Sequence, residues 1–232
     1  MIAIAVGGAR GRVSQLIRQA IEADKDFSLA ASISHLDPSS HLKEITTPID
    51  VFIDFTTPAA TLEYLTICQE RRCPMVIGTT GFSEIEKVKI AHAAQIIPIV
   101  FSPNMSIGVN ITYKLLAFAA NLLKEHAGVA ADVAIVDIHH RHKKDAPSGT
   151  ALRMAEVIRN AASDPTINLS SVRLGDIVGE HSALFALAGE RIEITHKATN
   201  RSLYATGALQ AAKWVVSQLP GLYDMQDVLQ LR

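Results

Sequence analysis

Through its first hundred residues the chain alternates short apolar runs with segments of helical spacing. Ile2–Val6 is apolar throughout, Gly7-Gly8-Ala9-Arg10-Gly11 forms a turn, and Val13–Ala23 repeats its apolar residues at helical intervals. Phe27–Ser34 reads as a second strand and Asp50–Phe55 as a third, ended by Thr56-Thr57-Pro58. Thr57 suits a helix N-cap with Pro58 at the first helical position. The threonine oxygen accepts an unpaired backbone N–H, and proline has none to leave unpaired. Met75–Ile77 is a fourth strand closed by Gly78-Thr79-Thr80-Gly81, Ser83–Ala94 a helix, and Ile97–Phe101 a fifth strand. Apolar strands separated by helices imply a parallel sheet covered on both faces. Right-handed crossovers make that a doubly wound α/β domain.

After Ser102-Pro103-Asn104 the pattern changes. Ile107–His126 is a long helix rich in Ala and Leu, Val133–Ile138 is a strand, and Ser148–Ala162 is helical until Ser163-Asp164-Pro165 stops it. Val172–Val178, Ala183–Leu187 and Arg191–Lys197 read as strands, the last two joined by a Gly189-Glu190 turn. Strands in succession, without helices between them, predict a mixed or antiparallel sheet and hence a second domain of α+β type. Arg201–Ser217 is a final helix, followed by a short tail with Pro220-Gly221.

Composition narrows the function classes. The formal net charge is −1 and nearly half the residues are apolar, which fits a compact globular protein and argues against a general nucleic-acid binder. No apolar run reaches the roughly 18–20 residues of a membrane span. Met1-Ile-Ala-Ile-Ala-Val lacks a basic leader and reads as a first strand. Two cysteines, Cys68 and Cys73, make no disulfide framework and are expected to be reduced thiols of a cytoplasmic protein.

Gly8-Ala9-Arg10-Gly11-Arg12-Val13-Ser14 lies between the first strand and the first helix. That is where glycines let a backbone approach a dinucleotide pyrophosphate at a helix N-terminus. Ser14 stands where the third glycine usually falls and is small enough to keep helix and strand close. The second strand ends in Ser34-His35, with no acid to bind ribose hydroxyls. His35 with Arg10 or Arg12 is suited to a 2′-phosphate, so NADH and NADPH both stay open as cofactors. The turns Gly78-Thr79-Thr80 and Ser102-Pro103-Asn104-Met105 follow further strand ends, where ribose and nicotinamide contacts are expected.

The densest chemistry is His139-His140-Arg141-His142-Lys143-Lys144-Asp145-Ala146-Pro147-Ser148-Gly149-Thr150-Ala151. Imidazoles, a guanidinium and ammonium groups precede a helix start, which is a natural trap for carboxylates or phosphates. Ser148 can cap the helix, the N–H groups of Gly149 and Thr150 can hold a carboxylate, and Lys143 supplies a countercharge and a possible proton. A histidine titrates near neutral pH and is a usable proton donor. The spacing does not aim three rings at one centre, so no metal site is expected. A nucleic-acid patch and a plain solvated charge run fit less well.

These residues carry a resemblance. The chain resembles the 4-hydroxy-tetrahydrodipicolinate reductase (dihydrodipicolinate reductase) family along nearly its whole length. The matching motifs are the Gly8–Val13 turn, Val51-Phe52-Ile53-Asp54-Phe55-Thr56, Val76-Ile77-Gly78-Thr79-Thr80-Gly81, Asn104-Met105-Ser106-Ile107-Gly108-Val109-Asn110, Gly175-Asp176-Ile177-Val178-Gly179-Glu180-His181 and, most specifically, the His139–Ala151 string. The resemblance implies NAD(P)H-dependent reduction of a cyclic dicarboxylic imine with loss of water, in the diaminopimelate route to lysine. It implies His139 as proton donor with Lys143 as its catalytic partner, and His140, Ser148, Gly149 and Thr150 as the substrate-carboxylate site. It also implies a Rossmann-type dinucleotide-binding domain over 1–106 plus 201–232, a substrate-binding and oligomerisation domain over 107–200, and a homotetramer.

The chain departs from the family pattern at several places. Ala134 stands for an acid, Asp137 keeps a carboxylate on a shorter arm than glutamate, the stretch before Val172 is short, and Ser34-His35 replaces an acid-plus-arginine pair. Two other classes remain to be separated by turnover and substrate profiling: a non-catalytic NAD(P) sensor and a dehydrogenase for another small carboxylate.

Overall fold

The computed structural model describes residues 1–34, 42, 45–126, 132–162 and 165–232. The chain runs β1 (Ile2–Gly7), α1 (Arg12–Ala23), β2 (Phe27–Ile33), β3 (Val51–Asp54), α2 (Pro58–Arg71), β4 (Met75–Ile77), α3 (Glu84–Ala93) and β5 (Pro98–Phe101). It continues with α4 (Ile107–His126), β6 (Asp132–His139), α5 (Gly149–Ala161), β7 (Ile167–Arg173), β8 (Gly179–Leu187) and β9 (Glu190–Ala198). It ends with α6 (Ser202–Val215), β10 (Gly221–Tyr223) and α7 (Met225–Val228). Two compact units result: Met1–Ile107 with Arg201–Arg232, and Gly108–Asn200.

The first unit holds a six-stranded sheet in the order β10-β5-β4-β3-β1-β2, every pairing parallel. Alternate residues of each strand face opposite sides. Ile4, Val6, Ile53, Val76 and Val100 pack with α1 and α6, whereas Ala5, Phe52, Met75, Ile77 and Ile99 pack with α2 and α3. This is the expected doubly wound domain, and its strand order reverses between β1 and β3. Caps set the helix starts: Thr57 accepts from the Ala60 N–H with Pro58 following, and Ser83 forms a reciprocal capping box with Glu86.

α6 presents Ala205, Gly207, Ala208, Ala211 and Ala212 inward, all buried, and such small side chains let it lie close to its neighbours. Gly207 is the tightest point, since a Cβ there would stand 1.7 Å from the Met105 carbonyl oxygen.

The short tail after the last long helix contributes β10, which pairs with β5, and α7. A three-residue strand is too short to show a period, and its place comes from the ladder offered by β5.

The second unit is the expected mixed sheet, ordered β7-β6-β8-β9. β6 and β7 are parallel, and the other pairs antiparallel. Val109, Tyr113 and Leu116 of α4 and Met154, Ala155 and Ile158 of α5 pack on Val133, Ile135, Ala183 and Phe185. The strand expected at Val172–Val178 is displaced: β7 ends at Arg173, and a turn with Gly175 at φ 56° follows. β7 reads Ile-Asn-Leu-Ser-Ser-Val-Arg, half-exposed and too polar to signal a strand, while Ile177-Val178 in the turn imitates one. β8 starts earlier than expected, at Gly179, and the β8–β9 turn is Ala188-Gly189, with Glu190 already in β9.

Gly207→Ala is expected to destabilise the protein by about 3 kcal/mol, because the new methyl meets backbone that cannot yield. Urea unfolding with an unchanged m-value would measure that loss.

Candidate active site

In the first unit the carboxyl ends of the strands carry the residues expected to meet a dinucleotide. Gly8 has φ 72°, and a Cβ there would stand 2.9 Å from the Thr56 methyl. Gly11 donates its N–H to the Gly8 carbonyl at 2.7 Å, which tightens the turn. Ser14 is fully buried and donates its hydroxyl to the Gly7 carbonyl at 2.9 Å, so it fills the third glycine's place by bonding to the strand. Gly11 gives α1 no side-chain cap, and no acid lies in its first turn. The N–H groups there are thus suited to an anion such as a pyrophosphate. Arg10 and Arg12 are exposed beside it. The Ala9 N–H bonds to the Ile33 carbonyl at 2.7 Å, bringing the turn alongside the end of β2, where Ser34 follows. His35, expected at the same edge, lies outside the described residues.

The other two turns divide. Thr80 and Pro103 are exposed, whereas Thr79 and Ser102 are buried and bonded inward. The Thr79 hydroxyl bonds to Asp54, and that of Ser102 bonds to the Asn104 carbonyl at 3.0 Å. Gly78 has no room for a side chain, since a Cβ would overlap the Phe55 ring at 2.3 Å. Met105, expected among the cofactor contacts, has its side chain in the core with Ala205 and Ala208. A long apolar side chain at the end of a turn is drawn into hydrocarbon, which leaves only its backbone for a ligand.

In the second unit, β6 changes character along its buried face. Val133 and Ile135 point into hydrocarbon, and Asp137 and His139 continue the same row at the carboxyl end. Asp137 has no solvent exposure. It accepts from the Ser148 N–H at 2.7 Å, the Ser171 hydroxyl at 3.1 Å and the Arg173 guanidinium at 2.5 Å. Arg173 also donates to the Asp145 carbonyl, tying the loop before α5 to the end of β7. Burial alone would raise the Asp137 carboxyl. The bonds from Arg173, Ser148 and Ser171 outweigh it and hold the group at about 2.

His139 is 7% exposed, with Nδ1 3.4 Å from Asp137, near enough for charge attraction though short of a hydrogen bond. Its Nε2 lies over Gly179, where a Cβ would come within 3.0 Å. Burial and the Lys143 charge lower His139, partly offset by Asp137. Lys143 reaches Asp145 at 2.8 Å. His140 and His142 rings lie 6.3 Å apart, with Arg141, His142 and Lys144 exposed.

Ser148 caps α5 by accepting from the Ala151 N–H, and its own hydroxyl meets His181 Nε2 at 3.1 Å. Burial pushes His181 down to about 3, so its ring is neutral and shares one hydrogen bond with the serine hydroxyl. Ser148, expected as a carboxylate ligand, therefore has both its hydroxyl and its N–H committed within the protein. Gly149 is exposed with open space before it, and Thr150 is half-buried. Among the described residues no group of three or more His, Cys, Asp or Glu side chains is placed to hold a metal ion.

Models of the dihydrodipicolinate reductase N-terminus and C-terminus match residues 2–105 and 108–229. The chain belongs to the dihydrodipicolinate reductase family. It is 45% identical to 4-hydroxy-tetrahydrodipicolinate reductase of Nitrosomonas eutropha, covering all of this chain and 99% of the relative. It is 42% identical to that of Hahella chejuensis over the whole of both chains. Each alignment runs over 271 positions against 232 residues here, so these relatives carry segments that this chain lacks. A dipicolinate-bound dihydrodipicolinate reductase from Paenisporosarcina superposes with a TM-score of 0.80 at 26% identity, covering 98% of each chain. A probable dehydrogenase from Thermotoga maritima gives 0.62 at 10% identity, over 99% of this chain and 93% of that one, a likeness of fold alone. Family and fold together imply an oxidoreductase with a nicotinamide cofactor and a small-molecule substrate. No helix among the described residues is long and apolar enough to cross a membrane.

Asp54, Ser171, Arg173, Gly179 and His181 were not among the expected site residues. The one sequence signal for Arg173 is indirect: an acid in the buried row of β6 requires a cation, and the next strand supplies it. Arg173→Met would leave Asp137 buried without a charge partner, at a cost of about 3 kcal/mol at pH 7. Asp137 sits below its ordinary 3.8, so its contribution is present above that value and is lost as pH falls toward 2. Urea unfolding should therefore show the gap between Arg173→Met and wild type narrowing from pH 7 to pH 3.

Proposed function

We propose that the chain reduces 4-hydroxy-tetrahydrodipicolinate to tetrahydrodipicolinate with loss of water, using the residues gathered at α5 and the end of β6. The observation that carries this reading is Gly149, exposed with open space before it at the start of α5 and directly preceded in the chain by the loop that carries His140 and Lys143. One substrate carboxylate is held by the N–H groups of Gly149 and Thr150, with Lys143 and His140 as cationic and hydrogen-bonding partners. Ser148 acts by fixing that helix start, through its bonds to Asp137, Ala151 and His181. A reduced nicotinamide supplies the hydride when bound. His139 delivers the proton each turnover consumes, and Lys143 keeps the dianionic substrate in register. Dipicolinate, which the Paenisporosarcina protein is described as binding, is expected to occupy the same place.

The cofactor binds the first unit at the Gly8–Val13 turn, the uncapped start of α1 and the Gly78-Thr79-Thr80 and Ser102–Met105 turns, the last through backbone. Ser34 carries no charge, and Arg10 and Arg12 are exposed in and just after the turn whose Ala9 N–H bonds to the end of β2. That supports acceptance of a 2′-phosphate, so NADPH is used at least as well as NADH. The second unit leaves Val172 and Ile192 of its sheet and Leu174 just after β7 exposed, which supports a homotetramer assembled through this unit. Buried free thiols at Cys68 and Cys73 suit a cytoplasmic enzyme.

Three outcomes test this. Purified protein, with substrate generated in place by the preceding synthase, should oxidise NADPH and NADH only when substrate is present. Binding of cofactor without turnover would instead indicate a sensor. Lys143→Ala should lower kcat at least about 100-fold with little change in Tm, and equal activity would remove Lys143 from the mechanism. The kcat/KM profile should fall above an apparent pKa below 6.5, with the kcat limb higher because a bound dianion favours the imidazolium. A kcat/KM profile with no such limb would remove His139 as the proton donor.

A further inference from the structure

We propose that Asp54 is a positioning residue for the cofactor: its buried carboxyl clamps Thr56 and Thr79, and through them sets the two turns that receive a reduced nicotinamide dinucleotide. Asp54 is the last residue of β3, beside the point where strand order reverses, and it has no solvent exposure. Its Oδ1 accepts from the Thr56 hydroxyl at 2.6 Å. Its Oδ2 accepts from the Thr79 hydroxyl at 2.9 Å and from that of Thr61 in α2. Its backbone carbonyl accepts the Gly78 N–H at 2.9 Å. Oδ1 lies 3.1 Å from where a Gly7 side chain would begin, so β1 closes over the carboxyl. One side chain thus meets β1, the turn after β4 and α2 from the end of β3.

The two clamped threonines touch the cofactor turns directly. The Thr56 methyl packs where Gly8 lacks a Cβ, fixing the wall of the first turn. The Thr56 N–H donates to Thr79 Oγ1 at 2.8 Å, so the Thr79 hydrogen is directed to Asp54. Thr79 is itself buried and cannot serve a ligand through its hydroxyl, which leaves Thr80 as the exposed residue of that turn. The partners of Asp54 are hydroxyls with no cation among them, and burial raises its carboxyl against their pull. Such a cage asks for a hydrogen-bonding shape rather than a charge. An amide can reproduce it, with its oxygen toward Thr61 and Thr79 and its NH2 toward Thr56.

The inference rests on the reading that the cofactor binds at this edge, and the test separates the two. NADPH and NADH binding would be titrated by fluorescence on Asp54→Ala, Asp54→Asn, Thr79→Val and Gly8→Val, with steady-state kinetics beside it. Asp54→Ala should raise cofactor Kd and KM about tenfold or more while substrate KM at saturating cofactor stays within about twofold. Asp54→Asn should recover cofactor Kd to within about threefold of wild type. If Asp54→Ala does not fold, Thr79→Val carries the test, since it removes one hydroxyl and keeps the shape. Normal cofactor binding by folded Asp54→Ala or by Thr79→Val would overturn the proposal. So would an Asp54→Asn variant as impaired as the alanine. Gly8→Val must lose cofactor binding in any case: if it binds normally, the cofactor site itself is misplaced. If Gly8→Val alone loses binding, only the role of Asp54 falls.

Discussion

A carboxylate with no access to water has to be matched by donors from the protein, and the second unit is organised by how Asp137 is matched. Its partners come from the end of β7, from the first residue before α5 and from the same strand two residues on. Three of these partners have a second commitment. Arg173 holds the Asp145 carbonyl, Ser148 caps α5 and bonds His181, and His139 rests against Gly179. One ion pair therefore fixes the sheet end, the basic loop and the helix start together. Without it, the loop from His140 to Pro147 would have few anchors, because most of its side chains face solvent.

The first unit solves a similar problem with other chemistry. Asp54 is equally buried, but its carboxyl is met by threonine hydroxyls, with no guanidinium. A charged pair suits a place beside cations that must hold an anion, since Arg173 answers Asp137 and leaves Lys143 its positive charge. A hydroxyl cage suits a place beside a pyrophosphate, where a free carboxylate would repel the ligand. In both units the polar centre lies at a strand's carboxyl end, where the hydrophobic rows of the sheet stop and backbone groups turn outward.

What the sequence could tell follows from which forces are local. The parallel strands, α4 and the Thr57-Pro58 helix start were legible because apolar runs, helical spacing and caps are written in neighbouring residues. The Ser148–Thr150 helix start was legible for the same reason. β7 and β10 were not, since one is half-exposed and polar and the other has three residues, and both owe their place to a partner strand. Ser148 was legible as the cap of α5, and the resemblance placed it in the substrate-carboxylate site. Its bonds to Asp137 and His181 come from residues 11 and 33 positions away, which no local pattern displays. Met105 was read as part of a cofactor turn because the turn is local, while the pocket that takes its side chain is made by α6, a hundred residues later. The long string from His139 to Ala151 was legible as chemistry, although its arrangement depends on Arg173, which carries no motif of its own, and on His181, the last residue of the Gly175–His181 motif.

The central claim is that an anionic substrate is received at the start of α5, held in place by Asp137. A crystal structure of the protein with dipicolinate bound tests it most directly. The account predicts one carboxylate against the N–H groups of Gly149 and Thr150, with the Lys143 ammonium within hydrogen-bond reach and Ser148 still bonded to Asp137. Dipicolinate bound away from α5, or Ser148 turned from Asp137 to meet it, would contradict the account.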